Sequence, residues 1–324
     1  MRMQAVVRDN YGSADGVRVA ELERPTPGAG QVLVEVQAAG LDRGVWHLMT
    51  GKPYLMRLVF GLRRPKNPVL GADLAGRVVG VGAGVTAFAE GDEVFGVGVG
   101  SFAQYAVARA DKLALKPLDL SSPEAATVGI SGLTALQALD LGKVAAGQKV
   151  LITGASGGVG SFAVQLAKAL GAEVTGTAST AKLALVQSLG ADHVIDYTQQ
   201  DFADGINRYD VIIDLAGNPT LSRLRRALTK SGTAVIAGGE GGGAVAGGID
   251  RQLRAKLLSL FIGQRMTGLL SQEKAVDLER LKVFIEAGQL KPSIDSVVKL
   301  AEVPQALRDL EAGLIGGKLA VAIS

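Results

Sequence analysis

The chain has 324 residues, 48 % of them hydrophobic and 20 % charged, with 34 Lys and Arg against 31 Asp and Glu for a net charge of +3. That balance supports a large core, excludes a disordered chain, and is too even to argue for a nucleic acid partner. With no cysteine and only two histidines, His47 and His193, disulfides, thiolate metal sites and histidine-rich metal sites are all excluded.

The segment at 3–7 reads as a strand and lacks the charged-then-apolar layout of a signal peptide. No run of about 18 apolar residues occurs, so no transmembrane span and a cytoplasmic location are expected. Residues 31–37 alternate polar and apolar over most of their length, as a half-buried strand does. Glycine-punctuated strands follow at 75–85, 91–96, 102–107 and 113–115, the pattern of a compact β-barrel-like module. At Ser121-Ser122-Pro123-Glu124 a capping-box pattern opens a helical stretch expected to reach about residue 141. Strands and helices then alternate. Strands are expected at 149–153, 173–177, 194–195, 211–214 and 233–237, with helices at 159–170, 181–189 and 221–228 between them. Such alternation implies right-handed crossovers and a parallel sheet. The tail reads helix 272–287, strand 296–300, helix 303–311 and strand 318–323. The glycine-rich run at 238–248 reads either as a connecting loop or as a segment over a bound cofactor.

The strongest chemical signal is Thr153-Gly154-Ala155-Ser156-Gly157-Gly158-Val159-Gly160, which follows a strand and opens a helix. Small residues there let the backbone turn tightly and approach a pyrophosphate. Gly160 lets the helix pack on the sheet, and the helix start offers N–H groups and a favourable dipole. A P-loop would need Gly-Lys-Ser/Thr, whereas Gly160 is followed by Ser161-Phe162. An NAD-binding chain usually carries an acid about 20 residues beyond this turn, to bond the ribose 2′-hydroxyl. Here the stretch is Gly176-Thr177-Ala178-Ser179-Thr180-Ala181-Lys182. Ser179 and Thr180 can donate hydrogen bonds, and Lys182 can supply charge, so NADPH is the expected cofactor. A helix cap at Ser179 or Thr180 is compatible with that role.

The glycine turn, Gly132-Leu133-Thr134-Ala135 and Gly71-Ala72-Asp73-Leu74-Ala75-Gly76 together resemble the medium-chain dehydrogenase/reductase superfamily, in its zinc-free quinone oxidoreductase and enoyl reductase branches. The resemblance runs nearly end to end. It implies an α/β fold, with a Rossmann doubly wound parallel sheet and a GroES-like β-barrel catalytic domain. The implied boundaries are 1–123 for the catalytic domain, 124–264 for the NADP-binding domain, and 265–324 for a segment returning to the first. Zinc alcohol dehydrogenases of the superfamily carry a Cys where this chain has Asp42 and a His where it has Ala72. Their four-cysteine structural zinc loop is absent, so the resemblance implies a metal-free reaction. Quinone oxidoreductases commonly carry Asn at the position of Asp42. A carboxylate there would oppose electron density on an acceptor oxygen unless it is protonated or otherwise engaged. The resemblance also implies that Lys182 and Tyr197 meet the 2′-phosphate and that Thr134 lies near the nicotinamide. Ala216-Gly217 and Gly238-Gly239 would pass along the cofactor. A homodimer through the Rossmann sheet edge is implied as well.

Residues 42–60 are rich in pocket-type side chains: Trp46, His47, Tyr54, Leu55 and Phe60. Trp46 and Phe60 read equally well as core. Asp42, His47 and Tyr54 are the catalytic candidates, Tyr54 reading either as a hydrogen-bond or proton donor to a substrate oxygen or as a surface tyrosine, and His47 as a relay or nucleotide contact; His193 reads as structural. Arg57, Arg63, Arg64 and Lys66 form a basic cluster, either an attractor for an anion or a solvated loop. The expected activity is NADPH-dependent hydride transfer to a small hydrophobic quinone or α,β-unsaturated carbonyl. A zinc-free alcohol dehydrogenase or enoyl reductase acting on an aliphatic substrate, or an NADPH-binding sensor without turnover, are the alternatives.

Overall fold

The computed structural model describes residues 1–239 and 242–323. The expected glycine-rich loop therefore lies partly, at 240–241, outside the described residues. Two compact units are present. One comprises Met1–Leu133, Glu273–Ala287 and Lys291–Ser324; the other comprises Thr134–Gln272 and Gly288–Leu290.

In chain order the first unit holds β1 (Arg2–Arg8), β2 (Val17–Glu23), β3 (Gln31–Leu41), α1 (Arg43–Thr50), α2 (Arg57–Phe60), β4 (Asp73–Val81), β5 (Glu93–Val97), β6 (Tyr105–Arg109), β7 (Leu113–Leu115) and α3 (Ser122–Ala125). Helix α4 (Gly129–Gly142) contains the boundary between the units. The second unit continues with β8 (Lys149–Thr153), α5 (Gly158–Ala169), β9 (Glu173–Ala178), α6 (Leu183–Ser188), β10 (His193–Asp196), β11 (Tyr209–Asp214), α7 (Leu221–Ala227), β12 (Leu228–Ile236), α8 (Ile249–Leu258) and β13 (Arg265–Gly268). The chain then returns to the first unit as α9 (Ala275–Glu286), β14 (Ile294–Lys299), α10 (Val303–Glu311) and β15 (Lys318–Ala322).

The first unit is built on a seven-stranded sheet in the order β14-β15-β3-β4-β5-β7, with β6 also on β3, beside the β1-β2 ribbon. Strand β3 is its axis, pairing antiparallel with β15, β4 and β6. The valines at 32, 34 and 36 are buried on one face while Glu35 is exposed on the other, where Leu33 is nevertheless buried as well. Those valines join Leu41, Leu74, Phe102, Leu307 and Val321 in one core. At about 1.5–3 kcal/mol for each fully buried large apolar side chain, this core is the main force holding β15 to strands nearly 300 residues earlier. Helix α10 docks on it through Val303, Ala306 and Leu307, spaced one turn apart.

The second unit is a six-stranded parallel sheet in the order β10-β9-β8-β11-β12-β13. Val150, Leu151 and Ile152 are fully buried, the unbroken apolar run of a strand covered on both faces. The order reverses between β8 and β11, and at such a switch point the carboxyl ends of neighbouring strands leave a crevice for ligand.

Two expectations are corrected. The helix expected to run from 122 to about 141 is broken into α3 and α4. A Cβ at Gly129 would stand 2.4 Å from Asp73 Oδ1, and the break turns the Ile130 N–H toward that carboxyl group. The segment from 265, assigned to the first domain, begins with β13, which is the sixth strand of the parallel sheet. Helices α1 and α8 had no sequence counterpart. No helix among the described residues is long and apolar enough to cross a membrane.

Candidate active site

In the second unit the turn between β8 and α5 forms a cradle. Gly154 has φ +69°, a conformation that side chains rarely adopt. A Cβ on Gly160 would lie 2.2 Å from Gly154 O and 2.7 Å from the Ala155 backbone, so only glycine lets α5 start this close to the strand. Ala155 is fully buried and its N–H donates to Thr177 O at 3.0 Å, which ties the turn to β9. The residue before helix α5 is Gly157, which has no side chain to cap it. A twelve-residue helix with an uncapped start suits an anion, and the cradle fits a dinucleotide pyrophosphate.

The loops expected along the cofactor do converge here. Thr153 Oγ1 donates to Asp214 Oδ1 at 2.7 Å and accepts the Leu215 and Ala216 N–H groups. Asp214 Oδ1 also accepts from Gly217 N–H, and Gly238 N–H donates to Asp214 O at 2.9 Å. A Cβ on Gly238 would stand 2.1 Å from Leu215 O. Ala216, Gly217 and Gly238 are therefore packed at the carboxyl ends of β8, β11 and β12. Arg251 of α8 pins the arrangement, donating from Nη2 to Asp214 Oδ2 and to Pro219 O, each at 2.6 Å. Its Nε and Nη1 are buried without a hydrogen-bond partner among the described residues. Arg251 went unnoticed in the sequence because nothing local links it to a strand end 37 residues away.

At the end of β9, Ser179 and Thr180 stand at the start of a 3-10 turn, Thr180–Lys182, where Lys182 closes the last turn. An acid missed in the sequence stands beside them: Asp196, at the end of β10. Its carboxylate accepts from Thr180, Thr198 and Gln199, and the Thr180 and Thr198 hydroxyls hold it below the usual carboxylate range. Tyr197 follows it, largely exposed, with its N–H on Ala178 O. Thr134 is half-buried on α4.

The first unit holds a different construction. Asp42 caps α1, accepting the Val45 N–H at 3.3 Å, and is nearly buried. Its Oδ2 lies 3.5 Å from Nζ of Lys318, whose side chain is fully buried at the start of β15. The same ammonium donates to Ser131 Oγ at 2.9 Å and stands 3.7 Å from Asp73 Oδ2. Asp73 Oδ1 accepts the Ile130 N–H at 2.8 Å, while Oδ2 has no hydrogen-bond partner among the described residues. Burial, and then the charge of Asp42, push the Asp73 carboxyl up to about 8 against the pull of Lys318 and the Ile130 N–H. Burial therefore favours the neutral form of the Asp73 carboxyl beside Lys318. The carboxylate expected to disturb an acceptor oxygen is engaged by a cation. A zinc site does not fit these donors: no thiolate or imidazole is among them, and an ammonium stands between the two carboxyl groups. No group of three or more His, Cys, Asp or Glu among the described residues is placed to hold a metal ion.

His47 lies on α1, its Nδ1 2.7 Å from Lys52 O. A carbonyl only accepts, so Nδ1 carries the hydrogen and neutral His47 presents Nε2 as an acceptor. It can therefore give up a proton from Nε2 only as imidazolium. Tyr54 is exposed, with the Arg57 guanidinium 4.6 Å over its ring. Trp46 is half-buried against the first unit's core, edge-on to His47, whereas Phe60, read as core or pocket, is exposed. His193 is at the surface, paired with Glu173 at 3.2 Å.

A two-unit dehydrogenase built from a GroES-like β module and a nucleotide-binding parallel sheet is the class these features define. Residues 28–118 match the model of the alcohol dehydrogenase GroES-like domain, and residues 189–321 match that of the zinc-binding dehydrogenase domain. The chain is 34 % identical over 338 residues to quinone-oxidoreductase QR1, chloroplastic, of Triphysaria versicolor, covering 98 % of each. It is 32 % identical to the NADPH-dependent alkenal/one oxidoreductase, chloroplastic, of Arabidopsis thaliana, covering 98 % of this chain and 79 % of that one. The solved quinone oxidoreductase of Coxiella burnetii superposes with a TM-score of 0.88 at 28 % identity, over 100 % of both chains. The chain belongs to the medium-chain dehydrogenase/reductase superfamily, in its quinone oxidoreductase-like branch. It is an oxidoreductase, and membership implies a nicotinamide cofactor.

Proposed function

We propose that this protein is an NADPH-dependent reductase of quinones or α,β-unsaturated carbonyls that works without zinc. One observation carries the reading most: the glycine cradle opens an uncapped helix beside a strand end that offers Ser179 and Lys182, while the nearby acid, Asp196, is saturated by hydroxyl and amide donors, the Thr180 hydroxyl among them. The names of the relatives support the acceptor class. When bound, the cofactor supplies a hydride from nicotinamide C4.

The chain's own residues do the rest. The backbone at 154–160 holds the pyrophosphate, Lys182 and Tyr197 address the 2′-phosphate, and the Ala216-Gly217 and Gly238-Gly239 loops orient the nicotinamide half with Thr134. Lys318 fixes Asp42, which keeps α1 in place and an unpaired carboxylate away from the acceptor. Tyr54 gives the acceptor oxygen its proton, because neutral His47 has no hydrogen on Nε2. Rate enhancement comes mainly from positioning.

The same reading includes a homodimer through the edge of the parallel sheet. Strand β13 is that edge, and beside it Leu253, Leu257, Leu260 and Phe261 are exposed. An unpaired strand with an apolar margin suits a second copy.

The test is NADPH consumption across quinones, enones and simple alcohols, with metal content measured on the same sample. Turnover of quinones or enones by metal-free protein is expected. Activity confined to alcohols, or activity proportional to bound zinc, contradicts the proposal.

A further inference from the structure

The basic cluster singled out in the sequence has no place in the chemistry above. From Arg43 to Ala72 the chain carries six Lys or Arg and no Asp or Glu, leaving the remainder of this +3 chain at −3. Within that stretch the usual burial pattern is inverted. Leu58, Val59 and Leu62 are 69 %, 65 % and 65 % exposed, and Leu55, Phe60 and Tyr54 are exposed beside them. Arg63, Arg64 and Lys66 follow, also exposed.

The segment is nevertheless firmly anchored, and by its polar parts. Arg57 turns inward, donating to Gly51 O at 2.9 Å and to Thr50 O at 3.3 Å, with its guanidinium over the rings of Tyr11 and Tyr54. Tyr11 Oη donates to Gly61 O at 2.8 Å, and Lys66 N–H donates to Phe60 O at 2.8 Å. An arginine holds the base while leucine, valine and phenylalanine project from it.

We propose that residues 55–66 are a docking surface for an anionic lipid bilayer. Apolar side chains entering the headgroup region and a flank of basic side chains over acidic headgroups are the chemistry of a peripheral membrane anchor. A second copy fits this face poorly, because a two-fold contact would set a purely cationic surface against itself with no acid to pair. The stripe on α8 differs on both counts: it includes Asp250 and lies beside an unpaired strand edge. A folded acidic partner fits less well than lipid, since the apolar side chains project rather than line a groove and the segment is shorter than the roughly 20–30 residues of a specific interface. The placement puts a lipid-dissolved acceptor close to the protein, but the docking itself requires neither cofactor nor acceptor.

The experiment is co-sedimentation of the full chain, without nucleotide, with vesicles of equal parts phosphatidylcholine and phosphatidylglycerol, and with pure phosphatidylcholine vesicles. Binding to the anionic vesicles is expected, weakening as salt rises above about 0.1 M, with little binding to the neutral ones. Each basic side chain near such a surface strengthens binding roughly fivefold, so Arg63→Glu with Arg64→Glu should weaken it at least about twentyfold. Leu58→Ser with Val59→Ser should weaken it about tenfold, with melting unchanged because both side chains are already in solvent. Failure of the wild type to bind anionic vesicles, or equal binding by wild type and the Arg63/Arg64 variant, overturns the proposal. So does a dimer in solution that the Leu58/Val59 variant dissociates, which would assign the face to a second copy. None of these readouts depends on turnover, so a reductase that ignores vesicles and a vesicle binder that reduces nothing are separate results.

Discussion

The cradle of the second unit and the charge cluster of the first both hold polar groups in fixed positions, but one is made of backbone and the other of side chains. The cradle is contiguous: Gly154 to Gly160 supply the turn, the close approach and the helix start. The cluster gathers Asp42, Asp73, Ser131 and Lys318 from the full length of the chain, and the ion pair between Asp42 and Lys318 spans 276 positions. A backbone site tolerates any side chain that keeps its path, and so it fails by steric overlap. A buried ionic site depends on every member, because removing one leaves the others uncompensated in a medium that solvates charge poorly.

The largest expected effect tests the second half of that contrast. Lys318→Met keeps the volume but removes the cation between Asp42 and Asp73, and should cost about 3–5 kcal/mol of unfolding free energy, read by denaturant titration. A cost below about 1 kcal/mol would mean that the ammonium does not hold the cluster together. In the cradle, Gly160→Val forces a branched side chain into the Gly154 carbonyl. Nucleotide affinity should fall by about a hundredfold or more, worth about 3 kcal/mol, in calorimetry on folded protein. Retained affinity would show that the turn does not carry the pyrophosphate.

How these two sites could be seen from the sequence follows from the same contrast. The turn at 153–160 was legible because its function depends on residue size in a short window between a strand and a helix. Helix α10 was legible because Val303, Ala306 and Leu307 repeat at helical spacing. Asp42 was noticed only as a departure from a family pattern, and its partner Lys318 was not noticed, since no local rule links a lysine in the last strand to a cap in the first half. Helix α1 buries only Val45 and Met49, too short a stripe to register. Helix α8 carries its apolar spacing to the solvent and follows a glycine-rich run, so no element was legible there. The interruption between α3 and α4 was hidden because its cause is Asp73, more than fifty residues earlier.

Smaller effects sharpen the comparison within each site. Lys182→Ala should weaken NADPH about tenfold and leave NADH nearly unchanged, since only the phosphorylated ribose needs the charge. Equal losses for the two nucleotides would remove Lys182 from the 2′-phosphate. In the cluster, Asp73 has a carboxyl raised to about 8 by burial and by Asp42. A carboxyl whose folded value is raised contributes stability that is fully present below its unfolded value near 4 and is lost as pH rises through about 8. Between pH 6 and 9 the wild type should therefore lose stability relative to Asp73→Asn, with a differential slope on the order of 1 kcal/mol per pH unit at most. Parallel profiles for the two proteins would show that Asp73 is not protonated in the fold.

The most direct test of the cradle's assignment is isothermal calorimetry of the purified chain with NADPH and with NADH. One NADPH per chain, bound at least tenfold more tightly than NADH, is the predicted result. No heat with either nucleotide, or NADH bound as tightly as NADPH, would contradict it.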